Sequence, residues 1–152
     1  MCFVLYAGTS KPIHRKNFDL HAPDVSVEAL SDREEPVRAF FGKPEVQYVG
    51  STSQCGCDFG SVMFQNGEWP WWDDGEGSNP EHEGRERQSR EGLVSLLKGT
   101  GEEAVELYGE WDGGHGFPAG PRIREEIFVT DILDRRFRFK EQGFYTVQVE
   151  TK

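Results

Sequence analysis

Short stretches of apolar residues, or of alternating apolar and polar residues, recur along the chain and predict the strands of a β-sheet. Cys2 to Ala7 is an almost continuous apolar run that ends at Gly8, as expected of a buried strand. From Glu103 the apolar positions recur with a period of two as far as Trp111, which is typical of a half-exposed strand. The other predicted strands are Val25 to Ala29, Val46 to Thr52, Ser61 to Gln65 and Ile123 to Val129, followed by Phe137 to Lys140 and Phe144 to Val149 as a hairpin or as one strand bulged at Gly143.

One long helix is predicted over residues 80–98. Asn79-Pro80-Glu81 combines a capping side chain, a proline at the first helical position and an acidic first turn. The apolar residues Leu93, Leu96 and Leu97 lie in the second half, so only that half is expected to pack on the sheet. Two pairs spaced four residues apart are expected as ion pairs on the helix surface, namely Glu86 with Arg90 and Arg87 with Glu91.

A second, short helix is predicted after Ser31, whose spacing to Glu34 matches a capping box. It carries Val37, Phe40 and Phe41 on one side. Strands grouped at both ends of the chain, with helices that do not alternate regularly with them, predict an α+β fold. We expect an antiparallel or mixed sheet with the main helix and the short helix packed on one face, all within a single domain over residues 1–152.

The chain has 152 residues, three cysteines and no apolar run of the about 20 residues that a membrane span needs. Its first residues lack the basic flank of a signal peptide, so the sequence predicts a cytoplasmic protein with no membrane partner. An odd number of cysteines without an export signal favours reduced thiols or a metal site over a disulfide framework.

The net charge of −10 is concentrated in one part of the chain. No Lys or Arg occurs between Pro44 and Gly84. The eight acidic residues there are Glu45, Asp58, Glu68, Asp73, Asp74, Glu76, Glu81 and Glu83. Such a negative segment repels phosphate groups, so no nucleic-acid partner is expected.

Cys55-Gly56-Cys57, together with Cys2, forms the main candidate site. These thiols can bind a metal such as zinc, exchange redox equivalents as a strained disulfide, or lie buried as small apolar side chains. If the first strand and the strand before Cys55 are antiparallel neighbours, Cys2 and Cys55 lie at the same end of the sheet. A fourth ligand could come from an acid such as Asp58 or from one of the histidines, which are His14, His21, His82 and His115.

An acidic, Trp-rich loop is predicted at residues 66–78. Its aromatic and acidic side chains are a candidate surface for a protein partner or for a cationic or sugar-like ligand. The alternative is that the tryptophans anchor the loop to the core. The candidate residues are Trp69, Trp71, Trp72, Asp73 and Asp74.

From these features we expect a small α+β protein whose thiol cluster is structural or binds a metal such as zinc, and whose acidic aromatic loop contacts a partner. The alternative is a thiol-dependent redox or hydrolytic enzyme that uses the Cys-Gly-Cys turn. The sequence assigns no catalytic residue and leaves open whether the protein is an enzyme.

Overall fold

The computed structural model of the protein describes residues 2–62, 80–113 and 116–149. The strands are β1 (Cys2–Thr9), β2 (Ser26–Glu28), β3 (Glu45–Gly50), β4 (Ser61–Val62), β5 (Ala104–Asp112), β6 (Ile123–Phe128), β7 (Phe139–Lys140) and β8 (Gly143–Gln148). The helices are α1 (Pro80–Lys98) and the 3₁₀ helices Glu35–Phe40, Gly56–Phe59 and Val129–Leu133. The predicted Trp-rich loop and Gln65, the end of the predicted return strand, lie outside the described residues.

Six strands form one sheet in the order β2-β3-β1-β5-β8-β6. The neighbouring strands are antiparallel, except that β6 and β8 are parallel. The sheet is therefore mixed, and the predicted α+β class is confirmed.

The register of β1 determines which chain segments meet at its first residue. Leu5 pairs with Val49 and Thr9 with Glu45, so the start of β1 lies beside the end of β3. On the other side of β1, Cys2 pairs with Asp112, the last residue of β5. The segment that follows β3 therefore leaves the sheet next to Cys2.

The two faces of the sheet carry separate apolar clusters, because successive side chains of a strand point to opposite faces. On one face, Phe3 and Leu5 belong to the same buried cluster as Leu93 and Leu97 of α1. On the other face, Tyr6 of β1 clusters with buried residues that include Val37 of the 3₁₀ helix Glu35–Phe40. The short helix thus packs on the face opposite to α1, not on the same face.

Helix α1 begins at Pro80 and ends at Lys98, as the sequence predicts. Its buried residues are concentrated in the second half, which confirms that this half packs on the sheet. The predicted pair of Glu86 and Arg90 is present at 3.9 Å, but its predicted position on the surface is wrong. Arg90 is only 5% exposed, and its Nη1 donates a hydrogen bond to the Phe137 carbonyl at 2.8 Å.

The predicted pairing of the last two strands is also wrong. β8 has β5 on one side and β6 on the other, so neither of its edges is open to β7. Instead, β7 pairs in parallel with β4 in a separate two-stranded sheet, where Ser61 lies opposite Phe139. A two-residue turn at Glu141 and Gln142 thus connects strands of different sheets.

Among the described residues, no helix combines the length and the apolar character that a membrane crossing requires.

Candidate metal centre

Three thiols meet at one end of the sheet. The Sγ atoms of Cys2, Cys55 and Cys57 all lie within 4.8 Å of one another, and all three cysteines are free. The antiparallel pairing of β1 with β3 causes this approach, and it fulfils the condition under which the sequence predicts it. The three residues are close enough to bind a metal ion.

A tight turn after β3 positions Cys55. The Ser51 amide donates a hydrogen bond to the Cys55 carbonyl at 2.9 Å, and the Gln54 amide donates to the Ser51 carbonyl at 2.9 Å. Gln54 has a φ of 81°, a conformation that is uncommon for residues other than glycine. Its carbonyl accepts a hydrogen bond from the Tyr48 hydroxyl at 2.8 Å, which ties the turn back to β3.

The 3₁₀ helix Gly56–Phe59 then places Cys57 against β1. A Cβ atom on Gly56 would lie 2.7 Å from the Phe3 carbonyl oxygen, so this close approach of two backbones requires glycine. The Phe3 amide donates a hydrogen bond to Sγ of Cys57 at 3.4 Å. Such an amide–sulfur bond is an outer-shell contact that stabilises a thiolate.

Two of the thiols are accessible from an open groove of about 630 Å³, which we call the thiol groove. Cys2 and Cys55 line it, whereas Cys57 does not. The other lining residues are Val4, Glu28, Ala29, Ser31, Arg33, Glu34, Tyr48, Ser53, Gln54 and Asp112. Because three of these side chains are acidic and one is basic, the groove carries a negative charge of its own.

Most charged groups of the thiol groove have partners within the protein. The Glu34 carboxylate accepts hydrogen bonds from the Tyr6 hydroxyl at 2.7 Å and from the Ser31 hydroxyl at 2.8 Å. The Arg33 guanidinium lies 2.6 Å from the Asp112 carboxylate and stacks over the Phe117 ring, 4.3 Å from its centroid. These contacts hold the short helix and the end of β5 around the thiols.

The three thiols differ in acidity. Burial raises the pKa of Cys57 to about 12, and its hydrogen bond with Cys55 adds to this effect. The pKa of Cys2 is also raised, first by burial and then by its hydrogen bond with Cys55. Burial acts against ionisation of Cys55 too, but hydrogen bonds from Cys57, Cys2 and Ser53 outweigh it, and the pKa of Cys55 is lowered. Cys55 is therefore the most acidic of the three thiols.

The structure brings together the three predicted thiols without a histidine from the described residues. Among residues 2–62, 80–113 and 116–149, the set of ligand atoms that lie within 4.8 Å of one another contains only the three sulfurs. His14 and His21 are exposed, and His82 Nε2 lies 2.8 Å from the Glu86 carboxylate. His115 and the predicted partner-binding residues Trp69, Trp71, Trp72, Asp73 and Asp74 lie outside the described residues.

Comparison with known protein families, curated proteins and solved structures finds no match to this chain. The chemistry of the site is therefore inferred from its own residues.

Sequence reasoning missed the residues that surround the thiols. Tyr48 carries a usable signal, because it pairs with Tyr6 and therefore shares a sheet face with Cys2. Arg33 and Asp112 carry no such signal, since their ion pair joins residues 79 positions apart.

Proposed function

We propose that the protein binds one zinc ion through Cys2, Cys55 and Cys57. The observation that carries this proposal is the approach of their three sulfurs to within 4.8 Å, although Cys2 is far in sequence from the other two. Thiolate is the preferred zinc ligand of structural sites in proteins.

The geometry is compatible with coordination after small side-chain rotations. Zinc–sulfur bonds of about 2.3 Å in a tetrahedral site place neighbouring sulfurs about 3.8 Å apart. The hydrogen bond from the Phe3 amide to Cys57 Sγ would persist in the bound state and offset part of the negative charge on sulfur. Zinc is favoured over magnesium or calcium because those ions require oxygen ligands.

The direct test is a zinc titration of reduced, metal-free protein in competition with a chromophoric chelator. We expect one zinc per chain, and we expect cobalt(II) in its place to give a thiolate-to-metal charge-transfer band. Each of the variants Cys2→Ser, Cys55→Ser and Cys57→Ser should weaken zinc binding at least about tenfold, the lower end of the range for loss of a metal-site contact.

Ser95→Ala is the control, because Ser95 is an exposed residue of α1 that does not line the thiol groove. It should leave the stoichiometry unchanged and the zinc affinity within a few-fold. Zinc binding that survives all three cysteine substitutions would refute the proposal, as would an absence of zinc binding by the reduced protein.

A thiol-dependent enzyme is the second candidate function, and the lowered pKa of Cys55 beside the protonated Cys57 favours it. A thiolate with a neighbouring thiol is the arrangement used in disulfide exchange. Rapid alkylation of Cys55 in native protein that binds no zinc would support this alternative. Alkylation that zinc suppresses would instead support the metal site.

A further inference from the structure

The thiol groove opens on one side of the proposed metal centre. Cys2 and Cys55 line the groove, whereas Cys57 is held on the side of the β1 backbone by the Phe3 amide. A metal ion bound by the three sulfurs would therefore have the groove next to it. We propose, on the basis of the zinc site proposed above, that the fourth zinc ligand enters through this groove and is a neutral nitrogen base, such as an imidazole, on a positively charged molecule.

The ligand set leaves one tetrahedral position for such a base. A tetrahedral zinc ion has four ligands, and three protein ligands plus one exchangeable ligand is the pattern of open zinc sites. Within the part of the chain that the structure describes, no histidine nitrogen or carboxylate oxygen joins the cluster of three sulfurs. Because Cys2 and Cys55 line the groove, a ligand in the groove can reach a metal bound by these sulfurs.

Charge determines which molecule suits the groove. Zinc with three thiolates carries a net charge of −1, so an anionic fourth ligand adds a further negative charge to the site. The groove adds Glu28, Glu34 and Asp112, against which Arg33 is the single cation among its lining residues. Because this field repels anions and attracts cations, a neutral donor atom with a positive group nearby is favoured.

Glu28 is the carboxylate that would receive the positive group. Glu34 accepts hydrogen bonds from Tyr6 and Ser31, and Asp112 is paired with Arg33. Glu28, by contrast, is half-buried at the end of the edge strand β2, and its carboxylate accepts no hydrogen bond from the described residues. A cation in the groove can approach it without breaking an existing ion pair.

The test uses cobalt(II)-loaded protein and three imidazole probes, one neutral, one cationic and one anionic. The probes are imidazole, an imidazole with a trimethylammonium side chain, and imidazole propionate. Binding to the metal shifts the visible absorption bands of cobalt, and the probe concentration at half-maximal shift gives the affinity. We expect the cationic probe to bind about threefold more tightly than imidazole, and imidazole about threefold more tightly than the anionic probe, the effect of one charge at about 6 Å in water.

The variant Glu28→Gln should reduce the preference for the cationic probe while leaving imidazole binding within about twofold. The matched control is Glu126→Gln, since Glu126 is an exposed acid on β6, at the opposite edge of the sheet. It should leave all three affinities unchanged.

Loaded protein whose spectrum responds to none of the probes overturns this inference, because the fourth position is then filled from within the chain. Tighter binding of the anionic probe overturns it as well. In both cases the zinc site itself stands. Failure of the protein to load cobalt or zinc overturns the proposed function, and this inference with it.

Discussion

Phe3 contacts the thiol turn through both of its backbone polar groups. Its amide donates a hydrogen bond to Sγ of Cys57 at 3.4 Å. Its carbonyl oxygen approaches the Gly56 backbone so closely that a Cβ atom added to Gly56 would lie only 2.7 Å from it. The second residue of β1 thus fixes the distance between the 3₁₀ helix Gly56–Phe59 and the sheet. Since Cys2 precedes Phe3 in the chain, this contact also determines how closely the three sulfurs approach.

The first prediction is that Gly56→Ala weakens both the fold and the metal site. The added methyl group meets backbone atoms of Phe3, which cannot move without disturbing β1. We expect a loss of about 2 kcal/mol in the free energy of unfolding, measured by urea denaturation of the metal-free protein. Zinc affinity should fall at least about tenfold, because Cys57 is displaced from Cys2.

The control for this substitution is Gly84→Ala in α1, where an added Cβ meets no atom within 4 Å. It should stabilise the protein by up to about 1 kcal/mol, because alanine favours the helix more than glycine does. Gly56→Ala protein with the stability and zinc affinity of the wild type would contradict the close approach of the Gly56 and Phe3 backbones.

The second prediction concerns the pH dependence of zinc binding. The pKa of Cys57 is raised to about 12 and that of Cys2 is also raised, so both thiols are protonated near neutral pH. Zinc must then displace at least two protons. The logarithm of the apparent affinity should rise by at least about two for each pH unit around neutrality and should fall correspondingly as the pH is lowered.

Chelator competition at a series of pH values measures this slope. Proton release on zinc addition, followed with a pH indicator in weak buffer, provides an independent check. A slope near zero would mean that the thiols are already ionised in the metal-free protein, contrary to the burial of Cys57.

The sequence predicts the meeting of Cys2 with Cys55 on one condition, that the first strand and the strand before Cys55 pair in an antiparallel manner, and the structure meets that condition. Which strands pair with the last two strands of the chain was harder to predict. The sequence pattern predicts a strand over Phe137 to Lys140, but only the complete sheet shows that β8 has no open edge for it. A hairpin was therefore predicted between β7 and β8, although the chain passes from one sheet to the other at this point.

The side of the sheet covered by each helix is a similar case. The spacing of apolar residues in each helix, around Val37 and around Leu93, predicts that the helix has one apolar side. Both faces of the sheet are apolar along β1, however, so either face could receive either helix. Which face each helix covers depends on connections that no local pattern records. For the same reason the sequence did not predict the pairing of Arg33 with Asp112 beside the thiols.

The third prediction is that Arg90→Ala is strongly destabilising. Arg90 is 5% exposed, and its guanidinium lies 3.9 Å from the Glu86 carboxylate, whose side chain is 12% exposed. Removing the guanidinium takes one donor from the Phe137 carbonyl, which keeps Arg138 Nη1 at 2.7 Å, and one cation from Glu86, which keeps His82 and Arg138. We expect a loss of about 2 kcal/mol in the free energy of unfolding, the effect of losing a buried hydrogen bond to a charged group, measured by urea denaturation.

Arg87→Ala is the control for Arg90→Ala, because Arg87 lies on the same helix but is exposed. It should change the free energy of unfolding by no more than about 0.5 kcal/mol. Equal effects of the two substitutions would show that the buried position of Arg90 carries no special stabilisation.

The fourth prediction is a loss of stability in alkali that depends on Tyr6. Tyr6 is fully buried; burial, and then its hydrogen bond to Glu34, raise the pKa of its hydroxyl above the ordinary value. Above about pH 10 the unfolded chain ionises this group while the folded protein does not, so the free energy of unfolding falls as pH rises. Tyr6→Phe should reduce that fall by about 1 kcal/mol in urea denaturation between pH 10 and 11. Tyr108→Phe should act alike, because Tyr108 is equally buried and its hydroxyl donates to Glu110. If the free energy of unfolding of both variants falls with pH as steeply as that of the wild type, these hydroxyls are in contact with solvent.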